Sequence, residues 1–416
     1  MTNPKPLTLV NQTNLTVDEA RSLIESQATP VSCLNKVEIR SSLGRFLAED
    51  IHSKINVPSH TNSAMDGYAI NGDDIPAQAN AKLSIVCTVL AGQPFNGKIE
   101  PGQCARIMTG GMMPEGTDTV IMQEDVKRTD DIITIQSCHR KGQNVRQAGE
   151  DLAIGQVALH KGHKIMPAEL GVLASLGLSE IKVHRRLRVA FFSTGDELRS
   201  IGETLGNGEI YDSNRYSLYG MLFRLGVDIL DMGVIADRRE DIESAFQTAA
   251  ANADVVITSG GVSVGEADFV KETLDNMGEV KFWKIAMKPG RPLAFGKINN
   301  AFFFGLPGNP VAVMVTFYQF VQNALLIMAG AKVKPRLQLQ LASSMAFKKA
   351  PGRTTFIRGI ISNKKDGTIT VRSTGQQGSG ILNSMSQANC FIVLAHDDGP
   401  VNEGDIVTVE PFEGFI

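Results

Sequence analysis

Long apolar runs are scarce in this chain, and the longest, residues 311–328, is interrupted by Gln319, Gln322 and Asn323. It reads as a largely buried helix of a folded core rather than a bilayer span. Cysteine is equally sparse. The five residues, at 33, 87, 104, 138 and 390, form no Cys-x-x-Cys pair, which argues against a disulfide framework or a structural zinc site and for a reduced, cytoplasmic protein. The seven histidines include no His-Glu-x-x-His, so zinc hydrolysis has no support. Residues 1–12 lack the basic-then-apolar pattern of a signal peptide. A formal net charge of -3 excludes broad attraction to nucleic acid or anionic membrane while leaving room for a local basic pocket. Neither Gly-x-Gly-x-x-Gly nor Gly-x-x-x-x-Gly-Lys-Ser/Thr occurs.

What is present is enough apolar material, 43% of 416 residues, for a large core divided among several domains. Residues 15–25 carry Val17, Ala20, Leu23 and Ile24 at helical spacing, with Thr16 and Glu19 placed as a capping box. A second helix is expected at 41–48. From 71 to 149 short strand-like runs alternate with glycine-rich turns, and helical texture resumes at 167–176. This pattern reads as a β-rich domain (52–151) inserted into a helical and linker domain made of 1–51 plus 152–186. Residues 187–331 alternate strand and helix, as a mainly parallel α/β unit does. Residues 332–416 return to short strands, read as a small barrel or sandwich.

The chemistry concentrates at turns after apolar runs, where open α/β sheets place their ligands. Ser193-Thr194-Gly195-Asp196-Glu197 offers amides for an oxyanion and carboxylates for a cation. Ser259-Gly260-Gly261-Val262-Ser263 lets backbone approach a bulky ligand, with hydroxyls alongside. Lys284 to Pro292 places three cations, two of them Lys284 and Lys288, beside a Pro-Gly turn, as an anionic ligand requires. Pro307-Gly308-Asn309-Pro310 leads straight into a helix start, whose free amides favour phosphate. Each stretch, alone, also reads as an ordinary turn, basic loop or helix start. Further carboxylates stand in glycine-rich loops at Asp66, Glu150, Asp151, Asp237, Glu266 and Asp268, and the sequence does not say which of them meet.

Taken in order, these stretches resemble the molybdopterin molybdenumtransferase family, to which the C-terminal part of gephyrin is related. The resemblance rests on Asn62 to Ala69, Arg106 to Gly110, Arg146 to Asp151, Ser193 to Leu198, Tyr211-Asp212-Ser213-Asn214, Ser259 to Asp268, Lys288-Pro289-Gly290 and Gly305 to Pro310. It implies a multidomain α/β and β protein, with a three-layer catalytic domain resembling molybdopterin adenylyltransferase, an inserted β-rich domain and a C-terminal small β-barrel. It also implies an elongated homodimer with its cleft at the subunit interface, and contact with a molybdopterin adenylyltransferase and with molybdoenzyme maturation proteins. The implied substrates are adenylylated molybdopterin and molybdate, with Mg2+ as cofactor, and the products are AMP and molybdenum cofactor.

Carried over position by position, the resemblance makes Asp66, Thr109, Arg146, Asp151, Glu197, Asp237, Asp268, Lys284 and Lys288 catalytic candidates. Thr194, Gly195, Ser259, Gly260, Gly261, Ser263, Pro307, Gly308, Asn309, Pro310, Arg353 and Ser379 are candidates for holding the substrate, and Asp196, Glu197 and Asp268 for holding magnesium. Relatives often carry more positive charge than Arg146-Gln147-Ala148. Two other readings stay open on sequence: adenylylation of molybdopterin with ATP, and a gephyrin-like scaffold without catalysis.

Overall fold

The computed structural model describes residues 14–260, 270, 273–274 and 277–412. Its centre is a six-stranded sheet in the order Asp228–Ile235, Arg188–Thr194, Val255–Ser259, Ala301–Leu306, Pro292–Ile298 and Gly278–Lys284. The first four strands run parallel, and the last two join antiparallel. The strands carry apolar side chains on both faces, so both must be covered. Val189, Phe191, Val255 and Ile257 face a core shared with Leu218 and Leu222 of the helix Ser213–Leu225. Ala190, Phe192 and Val256 face the opposite core, closed by Ile242, Phe246 and Ala249 of the helix Arg239–Asn252. These are the three layers of an α/β domain.

The apolar stretch 310–328 is a helix at the heart of the first core. It is long and apolar enough to cross a membrane, but 67% of it is buried inside the protein. Its polar residues are tethers. Gln319, fully buried, donates to Glu410 of the C-terminal domain and accepts from Arg21, while Asn323 donates to Glu25. Arg21 and Glu25 belong to the helix Val17–Gln27, whose capping box is formed by Thr16 and Glu19 and whose Val17, Ala20 and Ile24 enter the same core.

The expected helix at 41–48 is replaced by a 3-10 turn, Ile39–Ser42, followed by single bridges from Phe46 to Lys164 and from Leu47 to Val183. Gly44, at φ +78°, turns the chain in a way a helix interior does not tolerate. On either side of the insert the chain pairs with itself, Leu34–Glu38 with Glu180–His184 and Ile51–His52 with Val157–Leu159. The insert is a second six-stranded sheet with an apolar cluster on each face.

In the C-terminal domain five strands close on themselves. Thr354–Asn363 pairs with both Ile369–Ser373 and Cys390–Leu394, and Leu339–Ser343 and Ile406–Pro411 complete the ring. This is a barrel, not a sandwich, and closure removes free sheet edges. Its Phe356 and Phe391 join the α/β core, and the short strand Met287–Lys288 pairs with its Thr354 and Thr355. Barrel and α/β domain therefore share a wall where the basic loop runs.

Candidate functional site

Three parallel strands of the α/β sheet end side by side, with Ser193 paired to Ser259 and Ser259 to Leu306. Beyond them the chain turns on glycines held at positive φ. At Gly260, φ +93°, a Cβ would lie 2.7 Å from the Thr194 carbonyl oxygen, and at Gly195, φ +147°, it would meet the Glu197 carboxylate at 2.5 Å. Close stacking of backbone leaves space above the strand ends. There a cavity of about 1040 Å³ opens, walled by these turns, the Pro307–Pro310 helix start, the basic loop at 288–292 and Gln377, Gly378 and Ser379 from the barrel.

The walls are tied together from behind. Asn214, buried at the start of the helix Ser213–Leu225, donates to Ser259 Oγ at 2.8 Å and to the Gly308 carbonyl at 2.7 Å. The Gly260 amide donates to the Leu306 carbonyl, and the Val311 amide donates to the Ser379 carbonyl. The last bond fixes the barrel loop to the first turn of the long helix. The amides of Gly308 and Asn309 just ahead of that helix, with Lys288 and Arg291 on the same lining, make the cavity suited to a phosphorylated or other anionic ligand.

One rim is acidic. Asp237 and Glu197 line the cavity, and the Asp237 amide donates to Asp196 Oδ1 at 3.2 Å. Burial first, and then the nearby Asp196 and Glu197 charges, hold the Asp237 carboxyl above the usual range. Among the described residues no three acidic, histidine or cysteine side chains form a ready-made metal cage. Magnesium seldom needs one, because it takes one or two carboxylates and completes its shell with phosphate oxygens and waters. The mutual repulsion at Asp237 is what a divalent cation would relieve, so the residues present fit the ion.

Of the candidates named from sequence, Thr194, Gly195, Glu197, Asp237, Gly260, Lys288, Pro307, Gly308, Asn309, Pro310 and Ser379 line this one cavity. Ser259 lies just behind its wall, and Asp196 stands exposed beside it. Lys284 is exposed at the end of its strand and does not line the cavity. Arg353 lines a separate cavity of about 380 Å³ with Asn14, Gly352, His396 and Arg291. Gly261, Ser263 and Asp268 lie outside the described residues.

A second group sits on the insert. Asp66 Oδ1 accepts the amide and the hydroxyl of Thr109, both at 2.7 Å, and these bonds hold its carboxyl below the usual range. Arg146 is adjacent through the pairing of Val145–Arg146 with Asn62–Ser63, and Asp151 is exposed on the neighbouring turn. None of these four lines the cavity of its own chain. Arg291, Ile210, Gln377 and Gly378 also line the cavity. Arg291 stood in the basic stretch already noted, whereas Ile210 carries no chemical signal.

Residues 15–177, 190–326 and 340–412 match three family models described as MoeA N-terminal region (domain I and II), probable molybdopterin binding domain, and MoeA C-terminal region (domain IV). A molybdopterin molybdenumtransferase of Haemophilus influenzae is 46% identical over 404 residues, covering 97% of this chain and 100% of that protein. The chain belongs to the molybdopterin molybdenumtransferase family. A molybdopterin molybdenumtransferase of Nostoc sp. is 34% identical over 90% of this chain and 87% of its own length. Gephyrin of Dictyostelium discoideum is 33% identical over 94% of this chain but only 61% of gephyrin, so it contains sequence with no counterpart here. Among solved structures, the molybdopterin biosynthesis moeA protein from Pyrococcus horikoshii OT3 superposes with a TM-score of 0.84 at 28% identity, covering 96% of this chain and 100% of that one. That likeness extends over all the domains described above.

Proposed function

We propose that this chain inserts molybdenum, supplied as molybdate, into adenylylated molybdopterin, releasing AMP and molybdenum cofactor. The observation that carries the reading is the single cavity in which glycine turns, a helix start and the Lys288–Arg291 cations surround space for a large anion. The substrate brings a phosphoanhydride and two thiolates, and molybdate is a second anion. Bringing them together needs fixed positive charge and donors that do not have to reorganise. Lys288 and Arg291 supply the charge, and the amides of Gly308 and Asn309 supply the donors.

Glu197 and Asp237, with Asp196 beside them, would hold magnesium, which supplies charge neutralisation at the anhydride, and the family resemblance adds Asp268 to that set. Glu197 and Asp237 orient the anhydride end of the ligand against the cationic wall. The substrate's own sulfurs capture molybdenum, so no cysteine of this chain is used. Asp66, Thr109, Arg146 and Asp151 act from the insert of a second subunit in a homodimer; that none of them lines this chain's own cavity supports the assignment. Partners of the same chemistry deliver the adenylate and accept the cofactor, and five free thiols suit the cytoplasm.

The test is AMP release. Protein given adenylylated molybdopterin, magnesium and molybdate is expected to liberate AMP, with little release when molybdate is left out. Formation of the adenylate from molybdopterin and ATP, without that release, would favour the adenylylating reaction instead.

A further inference from the structure

Asn214, 7% exposed, is the second residue of the helix Ser213–Leu225 and stands behind the cavity wall rather than on its lining. Asp212 sets it in place, capping the helix by accepting the Arg215 amide at 3.1 Å. The Asn214 side-chain nitrogen has two hydrogens, and the wall takes both: one goes to Ser259 Oγ at 2.8 Å, the other to the Gly308 carbonyl at 2.7 Å. A carbonyl oxygen only accepts, so the nitrogen must face Gly308 and Oδ1 must point away, where it finds no partner among the described residues. The two turns held in this way touch each other, since a Cβ at Gly308 would lie 4.0 Å from the Gly260 Cα.

The Gly308–Asn309 peptide is trans, so its N–H points opposite to its C=O. With that carbonyl drawn back to Asn214 behind the wall, the Asn309 amide is turned toward the cavity that Gly308 and Asn309 line. Asn309 is the residue just ahead of the helix, where an amide has no carbonyl of its own turn to bond, and it donates to none of the described residues. A donor fixed in advance stabilises an anion more than one that must first turn to meet it.

We propose that Asn214 is a positioning residue. By holding the Gly308 carbonyl it aims the Asn309 amide at a phosphoryl oxygen of the bound adenylate, an assignment that rests on the function given above. By holding Ser259 it keeps the Gly260 turn packed against that donor, and it does both without touching the ligand.

The test compares wild type with Asn214→Asp and Asn214→Ala in calorimetric titrations with AMP and with adenosine, which lacks the phosphate. The Asn309 amide is followed in proton–nitrogen correlation spectra of protein labelled at asparagine. Asp keeps the size of Asn but sets an oxygen against the Gly308 carbonyl; Ala introduces no charge, so it remains informative should Asn214→Asp fail to fold. Both variants are expected to bind AMP about tenfold more weakly while adenosine binding changes by less than about twofold. In wild type the Asn309 amide proton should move downfield with AMP and not with adenosine, and the variants should lose that shift. Equal weakening of AMP and adenosine would mean that Asn214 only braces the fold, and unchanged AMP affinity would remove it from the site; either result overturns the proposal. Wild type that binds no AMP would sink the proposed function as well, whereas wild type that binds AMP with an unmoved Asn309 amide sinks this inference alone, whatever the variants do.

Discussion

Asp237 shows how much a single side chain can reveal. Its carboxyl is held above the usual range by burial and by Asp196 and Glu197. A carboxyl whose pKa rises on folding favours the folded state below its unfolded value, and that contribution is lost as pH rises through the folded value. Near neutral pH the ionised trio therefore opposes folding. Asp237→Asn is expected to leave the thermal midpoint at neutral pH unchanged or raised, while AMP release falls by about a hundredfold. A lowered midpoint at neutral pH, measured by calorimetry, would contradict this account of the acidic rim. Sequence marked Asp237 as one carboxylate among many. The crowding that distinguishes it needs the three-dimensional neighbours, because Asp237 lies some forty residues from Asp196 and Glu197 along the chain.

At the scale of elements, the strand ends and turns decide the shape of the cavity. A Cβ at position 260 would meet backbone, the Thr194 carbonyl, and backbone cannot swing aside as a flexible side chain can. Gly260→Ala also places a side chain at φ +93°. The variant should lose about 1–3 kcal/mol in denaturant unfolding and bind AMP more weakly.

The same sheet is pinned at its other end by Arg185, which donates to both oxygens of Asp254 at 2.7 and 2.6 Å, while the Arg188 amide donates to one of them. Burial pushes the Asp254 carboxyl up, but the bonds from Arg185 and Arg188 outweigh it and the net shift is downward. A depressed carboxyl stabilises the fold above its unfolded pKa, and that stability fades as pH falls through the folded value. Asp254→Asn should therefore lose about 2 kcal/mol at neutral pH. Its deficit against wild type should shrink on acidification, as followed by the denaturant midpoint at several pH values. Elements of this kind were readable in the sequence because the strands are uninterrupted apolar runs bounded by glycine. The supposed helix at 41–48 was misread because its apolar spacing spans Gly44, whose left-handed conformation ends regular structure there.

At the scale of the whole molecule, the pairing of insert and cavity can be read by subunit mixing. Asp66 and Thr109 are bonded to each other on the insert and do not line this chain's cavity. If the site is completed by a second subunit, mixing an inactive Asp66→Asn protein with an inactive Asp237→Asn protein should restore AMP release after subunit exchange. Each mixed dimer would then hold one site with both carboxylates intact. No recovery, with mixed dimers demonstrated by differential tagging, would place both groups in the same subunit's site.

The sequence by itself determined the alternating strand–helix unit, the buried long helix, a C-terminal domain of short strands and the motifs that carry the chemistry. These follow from local rules, since the spacing of apolar residues sets the secondary structure and glycine or proline marks the turns. Only the tertiary structure decided which motifs meet. Strand order puts Thr194, Gly260 and Gly308 side by side, and docking of the barrel adds Ser379, while Arg353 faces another cavity and Lys284 faces solvent.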